Sequence, residues 1–312
     1  MCLARWWVDF LDEYGHFHDE TSSYLCSAER NQVNHLNPFV SIITVSLNAE
    51  ATIEDTLLSV WLQQRSFDIE HICVDGGSTD RTRDVVDAWA LRTDHIRRIY
   101  ELDHGIFDAM NKGMRAAKGE YVLFLNADDF LVAPDTLARA MNAARPGDDA
   151  NPDLIAGDVS MGVVGGHGLW RHRRAPRLLA HVRGTGLFPI QQGLFAKRRV
   201  LELAGGFDAR LKLGSDVNLF YDLERRINPT THVLRTDVAF MRAGGAANAG
   251  LGAVWLGTRE IYAHLVPTHG VVRSVIMVMV KTLQSISELR YGRCRHGRWF
   301  ATTCSETRVT QP

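Results

Sequence analysis

The sequence predicts an α/β protein: a doubly wound, mostly parallel sheet with helices on both faces, followed by a helical C-terminal tail. Three observations predict it. Short β-branched or apolar runs alternate with stretches of helical period across residues 39–125, the pattern of consecutive βα units. The run Tyr121–Leu125 has no polar interruption, as a central parallel strand should not. Polar or acidic residues close successive strands, where ligands bind in open α/β sheets.

The elements follow in order. Residues 1–37 are rich in His, Asp, Glu, Ser and Asn without a clear period, so they are read as an extension without predicted order. Phe39–Val45 is a β-branched run ended by Ser46-Leu-Asn48, a buried strand entering a loop. Ile53, Leu57, Val60 and Trp61 then fall on one face of a helix. A second strand, Ile69–Asp75, runs into Gly76-Gly77-Ser78-Thr79-Asp80; the glycines permit a sharp turn, and Ser78 or Thr79 is placed to cap a helix through Trp89. A third strand, Ile96–Tyr100, leads to a helix with Ile106, Ala109, Met110, Gly113 and Ala117 inward. Tyr121–Leu125 is the fourth strand and ends in Asn126-Ala127-Asp128-Asp129. After Pro134 the alternation weakens into mixed strands and loop over 157–186. Ile190–Phe195 is read as a strand, Arg199–Ala204 as a helix, Gly205–Asp208 as a turn and Ser215–Arg226 as a capped helix. From about residue 256 the chain reads as helices, with Val272, Val275, Ile276, Met279, Val280 and Leu283 in an apolar stripe beside Arg273, Lys281, Arg290, Arg293, Arg295 and Arg298. The expected division is 1–37, 38–255 and 256–312.

Composition narrows the function. A net charge of -1 over 312 residues argues against a protein that binds nucleic acid through its phosphates. Cys2, Cys26, Cys73, Cys294 and Cys304 show neither a CxxC pair nor metal-ligand spacing, so no disulfide framework or zinc site is expected and a reducing cytoplasm fits. The first ten residues lack the features of a secretory signal. The longest apolar stretch, Val271–Val280, is interrupted by Arg273 and falls short of the ~20 residues that cross a bilayer. No membrane span is expected. The tail stripe is open between a helix packed on its own domain and one lying on a membrane surface.

Three strand ends carry the candidate chemistry: Ser46 with Asn48, Asp75 with its glycines, and Asn126 with Asp128 and Asp129. A carboxylate at the second can accept hydrogen bonds from a nucleobase or ribose, and the third can hold a divalent cation against a diphosphate. Taken singly, Asp75 is also a good turn residue and Asp128-Asp129 a good cap. A dinucleotide enzyme should show GxGxxG after the first strand, where this chain reads Ser46-Leu-Asn-Ala-Glu50. Arg171, His172, Arg173, Arg174, Arg177, His181 and Arg183 form a basic cluster, either a loop gripping an anion or a solvated face. The histidines His167, His172 and His181 lack compelling metal spacing.

Taken jointly, Phe39–Asn48 (FVSIITVSLN), Val74–Asp80 (VDGGSTD), Asp103–Gly113 (DHGIFDAMNKG) and Phe124–Asp129 (FLNADD) resemble the family 2 glycosyltransferases. The likeness is greatest to bacterial members that assemble exopolysaccharide or lipopolysaccharide repeats, such as colanic-acid-type enzymes, and covers roughly residues 38 to 250. It implies a GT-A fold, a nucleotide-diphosphate sugar donor, a glycan or lipid-linked acceptor, a divalent cation (Mg²⁺ or Mn²⁺) and an inverting mechanism at the cytoplasmic face of a membrane or in the cytoplasm. By position, it implies that Thr44 and Asn48 flank the nucleotide, that Asp75 with Gly76 binds base or ribose, and that Lys112 steadies the donor side. It places Asn126-Ala127-Asp128 where the family has Asp-x-Asp, with Asp128 as metal ligand and Asp129 beside it. Asp216, at the start of a helix after the Gly205–Asp208 turn, matches the family's catalytic base. The chain departs from the family at Asn126, where many members have a carboxylate, at Gln191-Gln192 and at Val217-Asn218. Those departures keep open a non-catalytic nucleotide-sugar-binding subunit, and a different nucleotide-dependent transferase on a similar sheet stays open beside it.

Overall fold

The computed structural model describes residues 39–63, 68–144, 150–164, 167–175, 190–243, 251–287 and 289–293. The N-terminal extension and Arg177, His181, Arg183, Arg295 and Arg298 lie outside the described residues.

The first four strands form as expected: β1 (Val40–Ser46), β2 (Ile69–Asp75), β3 (Ile96–Tyr100) and β4 (Tyr121–Phe124), all parallel, in the order β4-β1-β2-β3. Side chains alternate across β1. Ile43 and Val45 enter one core with Ile72, Val74 and Phe124, while Val40 and Ile42 enter another with Tyr121 and Leu123, so β1 is buried on both faces as its uninterrupted apolar run requires.

Helices α1 (Ile53–Trp61) and α2 (Thr82–Ala90) bury Ile53, Leu57, Val86 and Trp89 together with Cys73. Trp61, expected inward, is 36% exposed and meets Trp89 edge to face. The α2 cap also differs from expectation. Arg81 stands at the cap position without a side-chain cap bond, Asp80 Oδ1 just before it accepts from the Thr82 N–H (3.0 Å), and Ser78 and Thr79 bond elsewhere. Helix α3 (Ile106–Ala116) turns Phe107, Ala109, Met110, Gly113 and Met114 inward and leaves Ile106 exposed. Gly113 is required there, because a Cβ would collide with the Ile43 side chain.

The second half is mixed where the first is parallel. After β5 (Phe130–Leu131) and α4 (Thr136–Met141), an element the sequence pattern did not show, come β6 (Leu154–Gly162), β7 (His167–Arg173), β8 (Leu194–Lys197) and β9 (Thr231–Arg242). Strand β8 pairs antiparallel with β4 and β6, β7 antiparallel with β6, β5 antiparallel with β9, and β9 parallel with β6. The segment expected as a strand from Ile190 is instead a short 3-10 turn, Gln191–Gly193, before β8. The result among the described residues is one mixed sheet of ten strands.

Helix α5 (Arg198–Ala204) ends at the left-handed Gly205, and α6 spans Ser215–Arg226. The C-terminal helix α7 (Leu251–Ser287) is longer than its apolar core suggested and bends at Gly270, whose φ is 74°. It does not stand apart from the domain. Ile261, Leu265 and Met277 are buried in the same core as Ile43 and Phe124, each contributing about 1.5–3 kcal/mol of apolar burial. A final strand, β10 (Leu289–Arg293), pairs antiparallel with β7. Gly252–Leu283 is long and apolar enough to cross a membrane by length and composition alone, which the broken run Val271–Val280 did not suggest.

Candidate active site

The ends of β1, β2 and β4 meet as the strand register dictates. Ser46 lies opposite Asp75 across the β1–β2 pair, and the chain leaving β4 stays bonded to β1 through Leu125 N–H to Ile43 O (2.9 Å) and Ala127 N–H to Val45 O (3.3 Å). Adjacent parallel strands therefore bring three polar strand ends to one edge of the sheet.

Asp75 is 1% exposed yet fully engaged. Its Oδ1 accepts from the N–H groups of Gly77 (3.1 Å) and Ser78 (2.9 Å) and from Arg83 Nε (2.6 Å), and its Oδ2 accepts from the hydroxyls of Ser78 (2.5 Å) and Ser46 (3.2 Å). Burial pushes this carboxyl up, but the hydrogen bonds from Ser78, Arg83 and Gly77 outweigh it and hold the group below the usual carboxylate range. The charged form is thus favoured by donors rather than by solvent. Gly76 cannot be replaced without movement, since a Cβ would strike the Asp103 carboxylate.

Asn48 sits in the left-handed region at φ 52°, tolerable for Asn. Its Oδ1 accepts from the Thr79 N–H (2.9 Å), and its own N–H donates to Ser78 Oγ (2.8 Å). With Ala49 N–H to Thr82 Oγ1 (2.7 Å) and Glu50 N–H to Asp80 Oδ2 (3.0 Å), the loops after β1 and β2 are stitched into one wall. Thr44 does not line that wall. It is fully buried within β1, with Oγ1 2.8 Å from His71 Nε2, because strand alternation directs it into the interior. Lys112 lies against the same region, donating to Leu102 O (2.5 Å) with Asp108 Oδ2 at 3.4 Å, so it anchors the loop after β3.

The turn after β4 separates its two carboxylates. Asp129 is 2% exposed and both of its oxygens are occupied: Oδ2 by Gln192 Nε2 (3.1 Å) and Oδ1 by the Arg242 N–H (3.2 Å). Burial, then the adjacent Asp128, push it well above the ordinary carboxylate range. Asp129 fastens the turn to the 3-10 segment and β9. Asp128 remains half-buried, raised by burial and drawn back by Arg242. Asn126 Oδ1 is buried without a hydrogen-bond partner. A carboxylate and an orphaned carbonyl oxygen on one turn fit a hard divalent cation, which takes oxygen ligands.

The start of α6, where Asp216 lies, is tied to α3 and β4. Asn111 on α3 brackets Phe207, donating from Nδ2 to its carbonyl (2.8 Å) and accepting its N–H at Oδ1 (2.9 Å). Phe207 stacks on Phe107 and meets Phe124 edge to face, which presses the Gly205–Asp208 turn onto the end of β4. Ser215 Oγ then accepts from the Asp208 N–H (2.6 Å). No side chain at the start of α6 caps it. The cap comes from α7: Glu260 accepts from the N–H groups of Lys212 (3.0 Å), Leu213 (2.9 Å) and Gly214 (2.8 Å). Asp216, in the first turn, has a buried Oδ1 with no partner. Burial raises its carboxyl, opposed chiefly by the positive charge of Lys281 and then by backbone donors and Arg173.

Arg83, Arg242, Glu260 and Lys281 were not expected at the site, whereas Gln192 is one of the departures from the family pattern and Arg173 part of the basic cluster. Arg83 lies one turn past Asp75's loop and carried a weak local signal; Arg242, Glu260 and Lys281 arrive from distant elements and carried none.

A family model described as "Glycosyl transferase family 2" matches residues 41–202, just over half of the chain. A "PGL/p-HBAD biosynthesis glycosyltransferase" of Mycobacterium bovis BCG is 42% identical over 125 residues, 40% of this chain and 48% of that protein; the chain thus spans about half the length of this curated relative. Staphylococcus aureus TarS 1–349, solved in complex with UDP-GlcNAc, superposes with a TM-score of 0.55 at 18% identity over 78% of this chain and 71% of that one. The mannosyltransferase PcManGT from Pyrobaculum calidifontis, in complex with GDP-Man and Mn²⁺, gives 0.54 at 20% identity over 86% and 80%. These structures share the GT-A fold with the described chain.

Proposed function

The chain belongs to glycosyl transferase family 2, and from that premise we propose that it moves a sugar, with inversion, from a nucleotide-diphosphate donor to a hydroxyl of a glycan or lipid-linked acceptor in bacterial surface polysaccharide assembly. The observation that carries the reading is Asp216: a carboxylate with a raised proton affinity and a buried oxygen lacking any partner, in the first turn of α6, next to the turn that Phe207 holds against β4. An orphaned buried oxygen is costly, and a carboxyl tuned upward is what general-base chemistry near neutral pH uses.

In this reading the wall made by Asn48, Asp75 and Gly76 seats the nucleoside, and Asp75 keeps its charge through Ser78 and Arg83. Asp128 and Asn126 would hold Mg²⁺ or Mn²⁺, which would offset the negative charge of the diphosphate. On the opposite side, Asp216 accepts the proton of the acceptor hydroxyl as its oxygen bonds to the anomeric carbon. The bond from that carbon to the diphosphate oxygen breaks in the same displacement, which inverts the centre. The exposed apolar residues of α7, with Arg273 and Arg259 among them, support contact with the surface of a membrane that carries the acceptor.

The test is calorimetric titration of UDP, GDP and dTDP sugars, with and without Mn²⁺, beside turnover measurements. Asp128→Ala is expected to lose metal-dependent donor binding. Asp216→Asn is expected to bind donor within about twofold of the parent while losing on the order of 10²–10⁴-fold in kcat. Intact turnover in Asp216→Asn would remove it as the base, and absence of any nucleotide-sugar binding by the folded chain would favour the non-catalytic subunit.

A further inference from the structure

A second polar cluster lies in the mixed half of the sheet. Asp158 of β6 and Asp237 of β9 stand directly opposite each other in the parallel β6–β9 pair, an arrangement that like charges disfavour. Register irregularities flank Asp158 on both sides, and such bulges re-aim a side chain. Both carboxylates are about nine-tenths buried, at 9% and 10% side-chain exposure. His172 of β7 faces them: Nε2 is 2.9 Å from Asp237 Oδ1 and 3.8 Å from Asp158 Oδ2, the latter beyond hydrogen-bonding distance. Asp158 Oδ1 accepts from the Ala175 N–H (2.8 Å), which fixes its carboxylate plane. The Arg235 guanidinium hydrogen-bonds the Ala175 carbonyl at 3.4 Å, and its charge acts on Asp158.

We infer that Asp158, His172 and Asp237 form a transition-metal site that rivets β7 to β6 and β9, separate from the donor site. One ligand atom from each residue falls within 4.8 Å of the others, close enough for one ion to reach all three with small side-chain adjustments. Two carboxylate oxygens and an imidazole nitrogen suit Zn²⁺ or Mn²⁺, whereas Mg²⁺ and Ca²⁺ favour oxygen alone. The separation follows from β9. Asp237 precedes Arg242, whose N–H binds Asp129, by five residues, roughly 16 Å of strand, so an ion here does not touch a diphosphate bound at Asp128. The ion's effect passes through β7 instead: it fixes His172, and the next residue, Arg173, contributes to the electrostatic surroundings of Asp216.

The probe is Zn²⁺ alone, titrated against a fluorescent chelator into the metal-stripped full-length chain carrying Asp128→Ala. High-affinity uptake is expected, weakened at least about tenfold by His172→Ala and by the near-isosteric Asp237→Asn. Zinc should also raise the unfolding midpoint of the Asp128→Ala chain and not that of either added variant. Far-UV dichroism and the metal-free midpoint confirm that the variants are folded, and Asp237→Asn preserves side-chain shape should His172→Ala misfold. No zinc uptake, or unchanged affinity in both folded variants, overturns the assignment.

Discussion

The charges of Asp216 on α6 and Lys281 on α7 act on each other without an ion-pair contact, and the balance between them sets the proposed base. Burial raises the Asp216 carboxyl and the Lys281 cation opposes that rise; in return, burial lowers Lys281 while Asp216 supports its charge. Because a neighbouring cation favours the carboxylate, removing it must raise the carboxyl further. The acid limb of kcat/KM is therefore expected above the ordinary carboxylate range of about 4 and at still higher pH in Lys281→Met. A pH–rate profile that does not move would remove Lys281 from this role. At this scale the sequence was partly legible. Asp75, Asp128 and Asp216 stood out because each sits where a strand or helix boundary is locally encoded. What the spacing did not state is direction: Thr44 and Asp129 have the right type at the right spacing, and their side chains are buried.

Helix α7 carries two duties on two faces. Inward, Glu260 supplies to the start of α6 the acceptors that no local side chain provides, and Tyr221 donates to Met277 Sδ (3.0 Å). Glu260→Ala leaves three backbone donors unmatched and is expected to destabilise the fold by about 1–3 kcal/mol, measured by urea unfolding, and to lower kcat with donor affinity retained. A loss of donor affinity instead would mean that α6 orders the nucleotide wall. Outward, Val271, Val272, Val275, Ile276, Met279 and Leu283 are 42–74% exposed, with Arg273 exposed among them. The chain is expected to co-sediment with anionic phospholipid vesicles, less so as salt rises, and to lose that binding when Val272 and Ile276 are both changed to Asp; equal recovery of the variant would argue against the surface contact. The sequence showed the apolar stripe and left its partner open. It gave no sign of the inward face, since Glu260 and Met277 acquire meaning only against α6.

For the molecule as a whole, the buried His71 ties stability to pH. Burial, then the nearby His95, push its imidazole from 6.5 down to about 3. The folded chain therefore resists a proton that the unfolded chain accepts, so this contribution is complete above 6.5 and is lost as pH falls toward 3, at about 1.4 kcal/mol per unit. The urea midpoint should fall more steeply between pH 7 and 5 for the parent than for His71→Gln; parallel slopes would assign the loss elsewhere. What the sequence by itself determined was the parallel half, β1 to β4 with α1 to α3, because βα units are encoded by contiguous periodicity and each strand end advertises its polar residues. It also determined that Asp75, Asn126 and Asp128 would share an edge, since adjacent parallel strands end on the same side. Only the tertiary structure decided the mixed half, the packing of α7 on α6, the influence of the Lys281 charge on Asp216 and the meeting of Asp158 with His172 and Asp237. Those contacts join residues from distant stretches of chain, and their energy comes from burial and charge that exist only once the elements have packed.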